Sequence, residues 1–400
     1  MGVDSSPLRW PSAWKDPGLL SLLQATSIRH LIVDASDIAA AARAAGFTIV
    51  SATAPPSDVV ITRGLWPGIR ASRSGGDTAA AGPTGEPWVD SNGWRVRVAQ
   101  AKRPGVQVWV DAKPNPSRVS TADYILAFAD VAAHGGRWII SLDDTLATGI
   151  ASKQPDAMQL WKSIVDASSF FSGTAPVSKL GDEAVIGVVS SFAGPKVIFT
   201  DEVLNNLART KQQYRAIHSA RFSAAGLKGV IYTDPEEPSS ALRKSILDFV
   251  NAGGVLITGP SWGSLPKAEV QRSHPRYVTR TIGQGSIATA TSFSDPYLVA
   301  NDAVVLVSHR YDIIRFFNSG AITPLLSQSS DKRRAVVQTV FYSLRPVEDT
   351  SVWVKGSYKA ARLRAYGQSQ PQNVKLEVRD AGVEVHLPAV SQYAMIELEA

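Results

Sequence analysis

Strand and helix signals alternate through the first 175 residues, and that alternation restricts the fold more than any other feature. IRHLIVDA (28–35) is a β-branched run followed by SDIAAAARAAG, an Ala-rich helical stretch closed by Gly46. FTIVS (47–51), DVVITRG (58–64), VQVWVDA (106–112) and RWIISLDD (137–144) read as further buried strands. Between and after them, WRVRVAQAKRPG reads as a short helix stopped by Pro104-Gly105, and STADYILAFADVAAHGG and DAMQLWKSIVDASSFFSG as longer ones. Strands alternating with helices imply parallel pairing through right-handed crossovers. About five strands fall short of the eight of a closed barrel, so residues 1–175 are expected to form a partial or divergent (β/α) barrel.

A stretch rich in Pro, Ser and Gly, SGTAPVSKLGDE (172–183), reads as a linker. After it AVIGVVSSF, LKGVIYTD and VLITG are strands interleaved with the helices DEVLNNLARTKQQYRAI and SSALRKSILDFVNAGG, a doubly wound α/β domain over 180–345. From 346 the pattern changes to short alternating strands (SVWVKG, AARLRAYG, NVKLEVRD, GVEVHLPAV, YAMIELEA), which suggests a small antiparallel β-sandwich over 346–400. A chain of 400 residues is also too long for one ordinary core.

Composition removes several functions. There is no cysteine, so disulfides, thiolate nucleophiles and Cys-based metal sites are excluded. The net charge of +6 is spread along the chain, and its densest cluster, Lys332-Arg333-Arg334, is too short for a stripe of phosphate contacts, so nucleic acid is not an expected partner. No apolar run approaches the roughly 20 residues needed to span a bilayer, so no membrane partner is expected. MGVDSSPLRW lacks a signal-peptide core, and the compartment stays open: extracellular or periplasmic if a leader has been removed, otherwise cytoplasmic. The six histidines are scattered without ligand spacing, and there is no Gly-rich phosphate loop, so neither metal nor cofactor is expected. D-x-N at 90–92 offers hard oxygens for Ca²⁺ without the rest of an EF-hand.

GVIYTDPEEPSSALRKSILDFVNAGGVLITGPSWG resembles the class I glutamine-amidotransferase-like domain that follows the barrel in family 42-type β-galactosidases. GVEVHLPAVSQYAMIELEA is similar to the closing strands of their small β-domain. The resemblance covers about half the chain. It implies the order barrel, amidotransferase-like domain and β-domain, a saccharide ligand and a homo-oligomer. The family carries an acid/base Glu after an Asn on the fourth barrel strand and a Glu nucleophile on the seventh. Here VQVWVDAKP holds Asp111 with no Asn-Glu pair, and no seventh strand precedes the linker, so that catalytic pair does not carry over. Amidotransferase activity needs a Cys and is excluded.

Ligands of parallel α/β folds bind beyond the carboxyl ends of the strands. The residues there are Asp34, Arg63, Asp111, Lys113, Asp143 and Asp144. Paired carboxylates could divide acid and base work in glycoside cleavage. The competing reading for Asp34, Asp143 and Asp144 is helix capping. Asp111, followed by Lys113-Pro114-Asn115-Pro116 and not by a helix start, is the better catalytic candidate, with Asp143 or Asp144 as its partner. Eight of ten tryptophans precede residue 162. Trp109, Trp138 and Trp161 lie in strand or helix patterns and read as core. Trp66, Trp88 and Trp94, in the long irregular stretch 65–94, divide evenly between a self-packed loop and a sugar-binding platform. Arg63, Asp90, Asn92 and Lys113 complete the expected binding set. The resulting expectation is glycosidic-bond hydrolysis, with a non-catalytic glycan-binding or structural protein of the same architecture as the alternative. A minor third reading takes GPSWG (259–263) as a nucleophile elbow, with Ser261, Asp295 or Asp302, and His309 as a serine-hydrolase triad.

Overall fold

The computed structural model describes residues 5–34, 36–69, 88–114, 120–174, 180–195, 197–265, 270–343 and 345–400. Among the described residues, six short strands form the ring of the first unit: Leu8–Arg9, His30–Ile32, Thr48–Val50, Val59–Arg63, Gln107–Asp111 and Arg137–Trp138. They pair in parallel through the ladders 8–9 with 30–32, 30–32 with 48–50, 59–63 with 107–111, and 107–111 with 137–138. A parallel bridge between Leu8 and Ile140 joins the last strand to the first, with Arg9 N–H donating to Ile140 O (2.9 Å) and Ile140 N–H to Pro7 O (2.8 Å). Between 48–50 and 59–63 the ring has a seam with no bridge or ladder among the described residues. Side chains from both sides of that seam, Val50 and Val59, share a cluster with Ile32, Trp109 and Ile139. This is a six-strand barrel with Trp109 (1% exposed) filling its interior edge-on to His30.

The first strand escapes a sequence reading because two residues after Pro7 in SPLRW have no period to detect. The outer layer consists of helices whose starts are legible. Thr121–Ala132 begins with a capping box between Ser120 and Asp123 and buries Tyr124, Ile125, Phe128 and Val131 against the strands. Helix Gly93–Lys102 can approach its neighbour because Gly93 has no Cβ, which would stand 2.3 Å from the His134 ring.

The second unit is a seven-stranded sheet in the order 214–218, 186–190, 229–232, 255–258, 285–290, 277–282, 270–274. The first five strands are parallel, in doubly wound order, and the last two add an antiparallel edge. The third unit packs a four-stranded on a six-stranded antiparallel sheet around Ile322, Leu326, Phe341, Val352, Leu363 and Ile396. It begins at Ile314–Phe317 and not at 346, and it takes Gly181–Asp182 from the expected linker as an edge strand. The strands Ile322–Gln328 and Arg334–Phe341 are buried on both faces, so they lack the alternation that marks the later ones.

One buried carboxylate ties these parts together. Asp130, in helix 121–132 and fully buried, accepts from Asn92 N–H (2.7 Å), Asn92 Nδ2 (2.9 Å) and Tyr342 Oη (2.5 Å). Asn92 Nδ2 also donates to Leu65 O, its Oδ1 accepts from Leu65 N–H, and Tyr342 shares a hydrogen bond with Thr323. Burial pushes the Asp130 carboxyl up to about 6 from 3.8, against the Tyr342 and Asn92 hydrogen bonds that favour its charged form. A folded value above the unfolded one means that the native state holds the extra proton. The stability contributed is therefore full below about pH 4 and lost as pH rises through about 6, a change of about 3 kcal/mol.

Two predictions follow from this packing. Between pH 4 and 7, denaturant unfolding should show wild type losing stability relative to Asp130→Asn, and parallel curves would contradict the assignment. Trp109→Ala should cost about 3–5 kcal/mol by opening the barrel interior; a loss below about 1 kcal/mol would mean that Trp109 does not fill it.

Candidate active site at the barrel mouth

The carboxyl ends of the six strands gather charged and aromatic groups on one rim. Strand 107–111 ends at Asp111, whose register partner Arg63 ends strand 59–63. Arg9, ending the first strand, reaches across the 137–140 segment and donates from Nη2 to Asp111 Oδ2 at 2.6 Å, with both side chains about one-third exposed (30% and 32%). Trp66 Nε1 donates to Lys113 O (2.8 Å), and its ring stands edge-on to Tyr124 (5.0 Å) and Trp138 (5.2 Å). Tyr124 donates to Ser141 O (3.0 Å); burial pushes its phenol well up, with the Asp143 charge adding to the effect. Asp111, Lys113, Trp66, Tyr124, Ser141 and Asp143 thus follow one another along a connected arc.

Asp143 does two things at once. Its Oδ1 caps helix Asp144–Ala151 by accepting from Thr145 N–H (2.9 Å) and Leu146 N–H (3.1 Å). Its Oδ2 is shielded from solvent and has no hydrogen-bond partner among the described residues, and the same holds for Ser141 Oγ two positions earlier. Buried polar atoms are normally satisfied, so these two are where an incoming polar group would be accommodated most readily. Asp144 is exposed in the first turn of the same helix, and Asp34 is exposed after strand 30–32.

The rest of the expected binding set does structural work elsewhere. Asn92 is completely buried in the Asp130 network, which removes it and the D-x-N motif from cation binding; among the described residues no cluster could hold a metal. Asp90 lies in a two-residue ladder with Gly68–Ile69. Trp88 is covered by the Arg209 guanidinium (4.3 Å), and Trp94 is buried in the core of the doubly wound unit with Val188, Phe192 and Leu204. These two tryptophans dock the units on each other, and Trp94, being buried, offers no open face to a sugar. Residues 82–87 of the loop containing them, and Arg70, lie outside the described residues.

The serine-hydrolase triad is not assembled. A short 3-10 turn, Pro260–Trp262, replaces the helix an elbow needs, and Ser261 donates to Asp234 O. Asp295 caps helix Pro296–Ala303, while Asp302 is held by Arg276. Arg9, Tyr124 and Ser141 are the rim residues that sequence reasoning missed. Only Tyr124, which gives an apolar helix face a polar tip, left a usable trace.

Comparison with protein-family models finds no match, and no curated protein matches the chain. Solved structures do. α-L-Fucosidase isoenzyme 2 from Paenibacillus thiaminolyticus aligns with a TM-score of 0.53 and 11% identity, over 76% of this chain and 62% of that one. The cold-adapted β-galactosidase from Rahnella sp. R3 gives 0.52 and 11%, over 77% and 57%. The chain is similar in fold to these two glycoside hydrolases, in line with the resemblance its sequence carries. A rhamnosidase from Novosphingobium sp. PP1Y shares the fold at 0.51 and 10% identity, over 86% of this chain and 34% of its own. The chain thus spans less than two-thirds of each of these enzymes, and identities this low establish fold alone.

Because the Arg9–Asp111 pair is partly solvated, Arg9→Ala should change global stability by less than about 1 kcal/mol in denaturant unfolding. A larger loss would make the pair a fold determinant and weaken its claim as a site.

Proposed function

We propose that this chain is a carbohydrate-active protein that takes a saccharide at the barrel mouth, with Asp111 and Asp143 as the carboxylates for hydrolysis of a glycosidic bond. The observation that carries this reading is the arc itself: a partly exposed Asp111, an Asp143 oxygen with no partner among the described residues, and the half-buried Trp66 between them. Glycoside cleavage requires two carboxyl groups flanking the scissile bond, about 5 Å apart for retention and further for inversion. Trp66 offers an apolar face for the C–H side of a sugar ring. Arg63 and Lys113 supply donors to hydroxyl or acidic substituents, and exposed Asp144 is the alternative second carboxylate. The fold is shared with a fucosidase, a galactosidase and a rhamnosidase, which supports the substrate class without fixing the sugar.

A second reading, binding without cleavage, rests on its own observation. The barrel has six strands among the described residues, and the seventh, which bears the nucleophile in the family the sequence resembles, has no counterpart among them. Turnover of a panel of aryl glycosides separates the two. Hydrolysis by wild type that falls about 100-fold or more in Asp111→Asn supports the first. Unchanged turnover in the variant removes Asp111, and saccharide binding by wild type without any turnover establishes the second.

A further inference from the structure

The doubly wound sheet has a cleft at its own topological switch point. Strand Ile186–Ser190 lies between Tyr214–His218 and Gly229–Tyr232, so the chains leaving 186–190 and 229–232 turn to opposite faces and open a crevice between them. The cleft there has a volume of about 420 Å³, within the range of small-molecule sites. Its walls come from the loop after Ser190 (Ser191, Gly194, Pro195) and from Asp234-Pro235-Glu236-Glu237-Pro238.

The acidic loop is held in place from several sides. Asp234 Oδ1 accepts from Ser190 Oγ (2.5 Å), and Ser191 N–H donates to Oδ2 (2.9 Å). Tyr232 Oη donates to Glu236 O (2.7 Å) and Ser261 Oγ to Asp234 O (3.0 Å). Arg243 pairs with Glu237 (3.0 Å) while donating to Ser264 O. A wall fixed in this way loses little entropy when a ligand arrives.

The charge of the lining is one-sided, in a chain whose net charge is +6. Asp234, Glu236 and Glu237 line the cleft, and no described lining residue is basic. Arg243 offsets Glu237, whereas exposed Glu236 makes no ion pair among the described residues. The nearby cations stand outside the lining. Arg221 is turned to the carbonyls of Ala101 and Lys102, and burial, then the Arg221 and Lys102 charges, hold the His218 imidazole below its usual range. Lys196 lies outside the described residues. Such a lining repels phosphates and carboxylates and favours a positive charge. Tyr232, Leu242 and the prolines supply the apolar remainder.

We propose that this cleft binds a small organic amine, with its ammonium facing Asp234 and Glu236 and its carbon stem against Tyr232 and Leu242. The site is independent of the barrel mouth and stands or falls separately from glycosidase activity. Calorimetry on the full chain with n-butylamine, n-butanol and inorganic phosphate tests it. The amine should bind about tenfold or more tightly than the alcohol, and phosphate should not bind. Glu236→Gln, at a side chain with no hydrogen bond among the described residues, should weaken the amine severalfold, and so should Asp234→Asn, with a thermal melt confirming that the variant is folded. Added salt should weaken it further. Equal binding of amine and alcohol, no binding of the amine, binding of phosphate, or unchanged amine affinity in Glu236→Gln would each overturn the proposal.

Discussion

The buried carboxylate of Asp130 is the constraint on which the arrangement of the three units depends. A charge-bearing group with no solvent access would cost several kcal/mol without donors, and its donors come from different parts of the chain. Asn92 fixes where the 88–102 segment leaves the barrel, and Tyr342 fixes the six-stranded sheet against helix 121–132. The same segment then carries Trp94 into the doubly wound core, and Arg95 sits among Asp130, Asp201 and Glu202. A single polar contact set therefore registers barrel, doubly wound sheet and sandwich together. The apolar packing around it, including Val336, Val340 and Met395 on the barrel helices, supplies area but little direction.

Holding the units in this way leaves the barrel mouth to be shaped by a shortened ring. With six strands the interior accommodates little beyond Trp109 and four aliphatic side chains, so ligand space lies above the strands and not within them. Closure through Leu8 and Ile140 brings Arg9 within reach of Asp111, and it places Ser141 and Asp143 immediately beyond the closing bridge. The candidate site is thus a consequence of how the ring closes. The doubly wound sheet offers a separate opening for a ligand at its own switch point.

Much of this architecture is legible in the residues, for identifiable reasons. VQVWVDA and LKGVIYTD are β-branched runs, each separated from the next helix signal by a Pro-containing turn, and each is a parallel strand. What escaped notice were segments whose structure is set by distant partners. Leu8–Arg9 is a strand only because Ile140 and Leu31 flank it, and Ile322–Gln328, with Pro324 inside it, is a strand because both its faces are covered. The site shows the same division. Asp111 at a strand end is readable, whereas Arg9 is 102 residues away in sequence and has no local mark. Trp88 and Trp94 have the composition of a binding loop, yet Arg209 and the doubly wound core claim them, and no local pattern encodes a docking partner.

The central claim is that the six-strand ring, although shortened, still presents a saccharide site at its carboxyl end. A crystal structure of the chain soaked with a panel of monosaccharides tests this most directly. The account predicts a sugar ring against Trp66 with a hydroxyl within hydrogen-bonding distance of Asp111. A sugar bound elsewhere with the mouth empty, or no sugar bound at any concentration the crystals tolerate, would contradict it.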